Sequence, residues 1–276
     1  MSVQEYFRPE SIEQAISLLA NQAQGSLIMA GGTLAMPLIN DGVSMPDQVL
    51  GLKAAGLDYF KEEGGYLIIG ATATLTQMAE QTTIPMLAEA AFGVGGWAIR
   101  NVATVGGNFF APPPGGDLAA ALLALDADLM IVGEQGQRSV LVNDFFTGFM
   151  TNVLQPEEII KEIRVQIPEG TAEFMKYGRR HANSPSIVTI AVNIEFDGNS
   201  VSKARIALNA VGPYPFRAEK AEEFLVGKTL DDQVIQEAGE IAVGECTPFT
   251  DPIASEWYRR KMIPVILGRT LEKFGK

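Results

Sequence analysis

The chain has 276 residues, of which 47% are hydrophobic and 20% charged, with a formal net charge of −12. Its length supports one large or two medium domains with real cores, and its acidity, without any basic stripe beyond Arg179-Arg180 and Arg259-Arg260-Lys261, excludes a nucleic-acid partner. A single Cys (Cys246) and a single His (His181) cannot build an iron–sulfur cluster, a structural zinc site or a disulfide, so any redox chemistry must come from an organic cofactor.

Met1 to Glu10 carries no apolar block, so no secretory signal is read and the cytoplasm is the expected compartment. Ser11 with Gln14 resembles a capping box, and Ile12, Ala15, Ile16 and Leu19 share one helical face. Ser26 to Ala30 reads as a buried strand that ends in Gly31-Gly32. Tyr66 to Ile69 is a second strand, followed by Gly70 and a helix from about Thr74 to Glu80. Met86 to Ala98 reads as one helix, loosened by Gly93, Gly95 and Gly96. Leu118 to Leu125 is a further helix, and Leu129 to Val132 a further strand. The run from Leu118 to Val132 is broken by Asp126 and Asp128, so no membrane insertion is expected.

After Pro168 the texture changes. Phe174 to Tyr177, Ile187 to Phe196 and Ser202 to Ala210 read as consecutive strands, the last two joined by the tight turn Asp197-Gly198-Asn199. Helices follow over about 220–225, 231–243 and 255–274. Strands followed by helices make an α+β pattern, so a boundary is expected near 168–172. This divides the chain into 1–170, with subdomains of about 1–55 and 56–170, and a C-terminal domain over 171–276.

Two glycine turns are candidate ligand sites. Ala30-Gly31-Gly32-Thr33 follows a buried strand, where successive glycines let backbone N–H groups approach an anion and the Thr hydroxyl adds a donor. Ala103-Thr104-Val105-Gly106-Gly107-Asn108 is the second. For either turn alone, a structural role is as good a reading as a ligand site. Gly227-Lys228-Thr229 mimics the end of a P-loop, but position 222 is Glu where that motif needs Gly. Gly93-x-Gly95-x-x-Ala98 matches the dinucleotide fingerprint in letters only, because a helical segment precedes it where a strand is required. His181, among Arg179, Arg180 and Asn183, reads as a loop residue, and Cys246 as a small buried one.

Taken together and in order, these segments resemble the FAD-binding medium subunits of the xanthine dehydrogenase and aerobic carbon monoxide dehydrogenase family. The resemblance rests on Ala30 to Thr33, Ile99-Arg100-Asn101, Ala103 to Asn108, Gly116-Asp117-Leu118 and Leu125-Asp126-Ala127. It continues through Asp144 to Gly148, Pro156 to Ile160 and Lys176-x-x-Arg179-Arg180, and so covers essentially the whole chain.

What the resemblance implies is specific. The N-terminal part would be an FAD-binding domain of two α/β subdomains, of the PCMH type and like that of vanillyl-alcohol oxidase. An α+β domain with an antiparallel sheet and helices would follow. Leu27, Ile28, Met29, Ala30, Gly31, Gly32, Thr33 and Leu34 would hold the FAD pyrophosphate. Thr104, Gly106, Gly107 and Asn108 would form a second phosphate and ribityl cradle. Asp117 would meet ribityl or phosphate-side hydroxyls, although an Asp opening an apolar helix is also a natural N-cap. Ile160 and Lys176 would flank the flavin ring, with Val94 at a ring-contacting position. The FAD would be non-covalent, since neither His181 nor Cys246 is placed for a link.

The family implies partners as well: a small subunit with [2Fe-2S] clusters and a large molybdopterin subunit, assembled as a dimer of heterotrimers. Electrons would pass from the clusters through FAD to an external acceptor. Two positions depart from the family pattern: Leu34 stands where Asp is common, and Asn183-Ser184-Pro185-Ser186 where a further Asp is common. Two alternatives stand beside this reading, a stand-alone FAD oxidoreductase of the same fold superfamily and a non-catalytic scaffold that has lost flavin.

Overall fold

The computed structural model describes residues 3–22 and 26–275. Three short parallel strands, β1 (Glu5–Phe7), β2 (Ser26–Met29) and β3 (Gln48–Gly51), form a sheet in the order β1-β3-β2. Parallel neighbours require crossovers, and helices α1 (Ile12–Gln22) and α2 (Ala35–Asn40) supply them. Ser11 Oγ accepts from Gln14 N at 3.2 Å, while the Gln14 side chain reaches back to Glu10 N at 2.7 Å. Ala15 and Leu19 of α1 pack with Leu50, Leu52 and, from a second sheet, Val132 and Ile159.

That second sheet is antiparallel, in the order β4 (Phe60–Glu63), β5 (Tyr66–Gly70), β10 (Ile159–Gln166), β6 (Asp128–Gly133), β7 (Gly136–Leu141). A small hairpin, β8 (Phe146–Gly148) with β9 (Thr151–Asn152), stands beside it. Helices α3 (Leu75–Gln81), α4 (Pro85–Gly93), α5 (Trp97–Arg100), α6 (Val105–Asn108), α7 (Asp117–Ala124) and α8 (Val142–Phe145) occupy the connections. Thr74 begins α3 through a reciprocal capping box with Gln77. The single helix expected over 86–98 is two helices. The chain leaves α4 at Val94, which is extended, and turns at Gly95 with φ +55°. Arg100 fixes the break by donating to the carbonyls of Phe92, Val94 and Gly95 at 3.1–3.3 Å, which are acceptors a helix end leaves open.

The C-terminal sheet runs β11 (Thr171–Gly178), β12 (Ser186–Asp197), β13 (Ser200–Asn209), β14 (Phe216–Arg217), antiparallel throughout. The β12–β13 turn is Gly198-Asn199, with Gly198 at φ +59°. Helices α9 (Glu219–Leu225), α10 (Asp232–Glu245) and α11 (Glu256–Leu271) cover one face. The other face packs on α4 and α7, so Phe174, Ala191 and Ala207 belong to the core of the N-terminal half. Coverage on both sides explains why β12 is buried continuously from Ser186 to Ile194 where an open antiparallel strand would alternate. Helix α7 lies between the layers and is buried at every residue. No helix among the described residues is long and apolar enough to cross a membrane.

Cys246 ends α10, where it is 4% exposed and its thiol donates to Ala242 O at 3.1 Å. Burial, reinforced by the nearby Glu245 carboxylate, pushes its pKa up to about 12. Thiolate is the reactive form, so the native protein should resist alkylation at pH 8 and react only after denaturation. Stoichiometric labelling of Cys246 by iodoacetamide in the folded state would contradict this placement.

Candidate functional site: a cleft between two glycine turns

The carboxyl end of β2 runs directly into Gly31-Gly32, and the turn meets the backbone of 102–103. A Cβ on Gly31 would stand 1.8 Å from Val102 O, so this approach is open to Gly alone. Gly32 takes φ +72°, followed by a turn closed by Met36 N donating to Gly32 O at 2.9 Å. The N–H groups of Gly31, Gly32, Thr33 and Leu34 find no acceptor among the described residues. Consecutive free N–H groups around a left-handed glycine form an anion-binding concavity.

The second turn is built differently. It is the short helix α6, capped by Thr104, whose Oγ1 accepts from Gly107 N at 3.1 Å. Val105 N and Gly106 N donate to Ala73 O and Ala71 O, both at 2.9 Å. A Cβ on Gly106 would come within 2.9 Å of Ala71, so the segment lies flat against β5's continuation. Its amides are therefore spent inside the protein. Asn108 likewise turns inward, its Oδ1 accepting from Leu118 N at 3.1 Å and so capping α7.

Between the two turns lies a cleft of about 600 Å³, within the usual range for cofactor sites. Leu27 to Leu34, Val94, Thr104, Gly106, Gly107, Asn108 and Ile160 all line it. Ile160 reaches it next to a bulge in β10, where Ala71 N takes Lys161 O at 2.9 Å. A bulge of this kind re-aims side chains beside a site. The lining is mainly apolar, and its one charged residue among the described residues is Glu158. Arg138 holds Glu158 through two 2.7 Å hydrogen bonds and keeps its pKa below the ordinary carboxylate value. No Lys or Arg lines the cleft among the described residues, so an anion there would be held by backbone N–H groups.

Asp117 and Lys176 do not line the cleft. The Lys176 ammonium donates to Asp117 Oδ2 and to Gly93 O, both at 2.7 Å, and behind the wall Asp117 is buried and Lys176 half-buried. Nor is Asp117 the cap of α7. That position is Gly116, at φ +71°, and the capping oxygen comes from Asn108. Asp117's side chain instead points to the C-terminal sheet, whose three donors draw it away from its own helix end. Asn183 and Ser184 also stand off the cleft: Asn183 N donates to Gly95 O at 3.3 Å, and Ser184 Oγ to Pro185 O at 3.2 Å. His181 is exposed in the same loop. Among the lining groups that escaped the sequence reading is Thr72. Thr72 is 5% exposed, and its hydroxyl has no hydrogen-bond partner among the described residues. Its only sequence signal is its place just after Gly70.

Comparison with known proteins covers both halves of the chain. The family described as "FAD binding domain in molybdopterin dehydrogenase" matches residues 1–169, and "CO dehydrogenase flavoprotein C-terminal domain" matches 173–274. The chain is 28% identical over 273 residues to the glyceraldehyde dehydrogenase medium chain of Sulfolobus acidocaldarius, covering 97% of each. It is 31% identical to the 6-hydroxypseudooxynicotine dehydrogenase complex subunit alpha of Paenarthrobacter nicotinovorans, covering 98% of this chain and 93% of that one. Its fold matches a chain in a solved structure of carbon monoxide dehydrogenase from Hydrogenophaga pseudoflava with a TM-score of 0.94. That match is at 29% identity and covers 98% of this chain and 96% of the other.

Proposed function

The chain belongs to the family of FAD-binding domains in molybdopterin dehydrogenases, and from that premise we propose that it is the electron-transferring subunit of a molybdenum hydroxylase. In this reading its FAD takes electrons from [2Fe-2S] clusters on a small partner subunit. The substrate reacts on a large molybdopterin subunit, and an external acceptor leaves with the electrons. The observation that carries the reading is the cleft: on one wall backbone N–H groups at 31–34 and beside them a Thr72 hydroxyl, both without a partner among the described residues, around an apolar slot.

The cleft fits FAD in charge and in shape. A pyrophosphate is an anion that the amides of Gly31, Gly32, Thr33 and Leu34 can hold without a side-chain cation. The apolar stretch through Val94, Ile99 and Ile160 suits a flat aromatic ring and keeps water from its faces. Bound FAD supplies the exchange between two-electron and one-electron chemistry that no side chain here can provide. The protein's share is to hold, orient and desolvate it. The side chains of Asp117 and Lys176 act from behind the wall in this reading, and Leu34 contributes its amide in place of an acidic side chain.

The protein expressed with its neighbours should co-purify with one Cys-rich chain and one large molybdopterin-binding chain, and should show the visible absorption of oxidised flavin. Acid precipitation should release all the yellow colour to the supernatant, because no His, Cys or Tyr lines the cleft among the described residues. Colour retained on the precipitated chain would refute the non-covalent part. A colourless native protein that takes up no added FAD would refute the function.

A further inference from the structure

Gly115 and Gly116, the turn that opens α7, form part of the cleft wall. Asp117 follows them, 3% exposed, and its carboxylate faces away from the cleft. Three donors fill it, all from the C-terminal sheet. Ser186 Oγ and Thr189 Oγ1 each donate to Oδ1 at 2.6 Å, and Lys176 Nζ donates to Oδ2 at 2.7 Å. A carboxylate offers about four lone-pair sites, so most of its capacity is taken.

The same sheet also grips the backbone of the turn. Ser186 N donates to Pro114 O at 3.2 Å, and Asn209 Nδ2 to Gly115 O at 2.7 Å. Through its second hydrogen bond, to Gly93 O at 2.7 Å, Lys176 holds the residue before Val94 as well. Two wall segments far apart in sequence thus hang on one sheet that itself stays out of the cleft.

We propose that Ser186 and Thr189 are positioning residues for the cofactor: by holding the Asp117 carboxylate they set the Gly115-Gly116 wall against which FAD binds. Hydrogen bonds to a buried charge are stronger than neutral ones and geometrically strict. Losing two donors on one oxygen lets the carboxylate, and the turn attached to it, relax. The inference rests on FAD being the occupant of the cleft.

Helix α7 provides its own control. Beyond its other end, about 12 Å away at 1.5 Å per residue, Asp126 stands at φ +49° and binds Arg205 Nε at 2.8 Å and Arg217 Nη1 at 2.9 Å. That cluster also ties the N-terminal half to the C-terminal sheet, but none of its residues lines the cleft.

The experiment is titration of deflavinated full-length protein with FAD, followed by flavin fluorescence quenching and visible circular dichroism of the bound flavin. Ser186→Ala/Thr189→Val should weaken FAD binding about tenfold and change the circular dichroism. Thr189→Ser should keep the wild-type values. Asp126→Ala should lower the melting temperature yet leave affinity and dichroism within about twofold. Should the double variant fail to fold, Thr189→Val alone should still weaken FAD about threefold to fivefold. Normal FAD binding by the variants lacking these hydroxyls would overturn the inference, and so would equal weakening by Asp126→Ala, which would show general loosening. Wild-type protein that binds no FAD would instead overturn the function proposed above, and this inference with it.

Discussion

Gly31→Ala should purify without flavin and bind added FAD at least about a hundredfold more weakly than wild type, the equivalent of about 2.7 kcal/mol. The added methyl would lie 1.8 Å from Val102 O and 2.7 Å from its carbonyl carbon, and both are backbone atoms that no rotamer change can move aside. The two turns must therefore separate, which displaces the free N–H groups at 31–34 from the opposite wall. Overpacking of this kind costs about 1–3 kcal/mol and more when backbone must shift. Gly42→Ala is the comparison. Gly42 takes φ +70°, but nothing lies within 4 Å of its would-be Cβ, so the change costs about 1–2 kcal/mol of local strain and flavin should be retained. Equal FAD affinity in Gly31→Ala and wild type, measured by titration, would show that the first turn is not part of the site.

Arg259→Met should be the most destabilising single change outside the cleft, costing about 3–5 kcal/mol. Arg259 is fully buried in α11. Its Nη1 donates to Ser186 O, Ile187 O and Ala210 O at 3.1, 2.7 and 2.9 Å, its Nη2 to Asp251 Oδ1 at 2.8 Å, and its guanidinium lies 4.7 Å from the Phe249 ring centre. Methionine fills the space but leaves three carbonyls and a carboxylate without this donor. At about 2–4 °C per kcal/mol for a chain of this size, the melting temperature should fall by about 6–20 °C. Lysine should not rescue it, because a single ammonium cannot reproduce the planar fork. A shift under about 2 °C in calorimetry would show that the network is dispensable.

The same network has a pH signature. Burial works to raise the Asp251 pKa, but the Ala254 amide, the Arg259 guanidinium and the Ile253 amide outweigh it, leaving the group below its ordinary value. A carboxylate with a lowered folded pKa contributes stability above its unfolded pKa and loses it as pH falls through the folded one. Wild-type stability should accordingly decline below about pH 4, and the part of that decline due to the Arg259 contact should be missing from Arg259→Met. The network also adjoins the Asp117 contacts, since Arg259 holds the carbonyls of Ser186 and Ile187 at the start of β12, the strand whose Ser186 and Thr189 hold Asp117.

Local signals carried far in this chain. Ser11 with Gln14 and Gly198 at the β12–β13 turn follow short-range rules of capping and positive φ, and the structure places those elements within a residue or two of where the sequence puts them. A single Cys and a single His point to a borrowed organic cofactor, and the two glycine turns mark candidate places for a ligand. Glycines are legible because their reason for being there, a backbone that comes too close for a Cβ, can be suspected from their neighbours alone.

Tertiary structure decided what depends on partners distant in sequence. Whether α4 continued or broke at Val94 rested on Gly95 adopting φ +55° and on Arg100 reaching back to three carbonyls, and residue periodicity across 86–98 records neither. Asn108 takes the cap that Asp117 would naturally provide: the amide caps α7, and the aspartate turns to donors 59, 69 and 72 residues away. A buried carboxylate goes where its charge is best compensated, and that choice is made by the packing of β11 and β12 against α7. Sequence by itself marked the two glycine turns between which the cleft lies. Only the folded chain decided that the opposite wall is held from behind, because ion pairs and hydrogen bonds between layers leave no periodic trace in either segment.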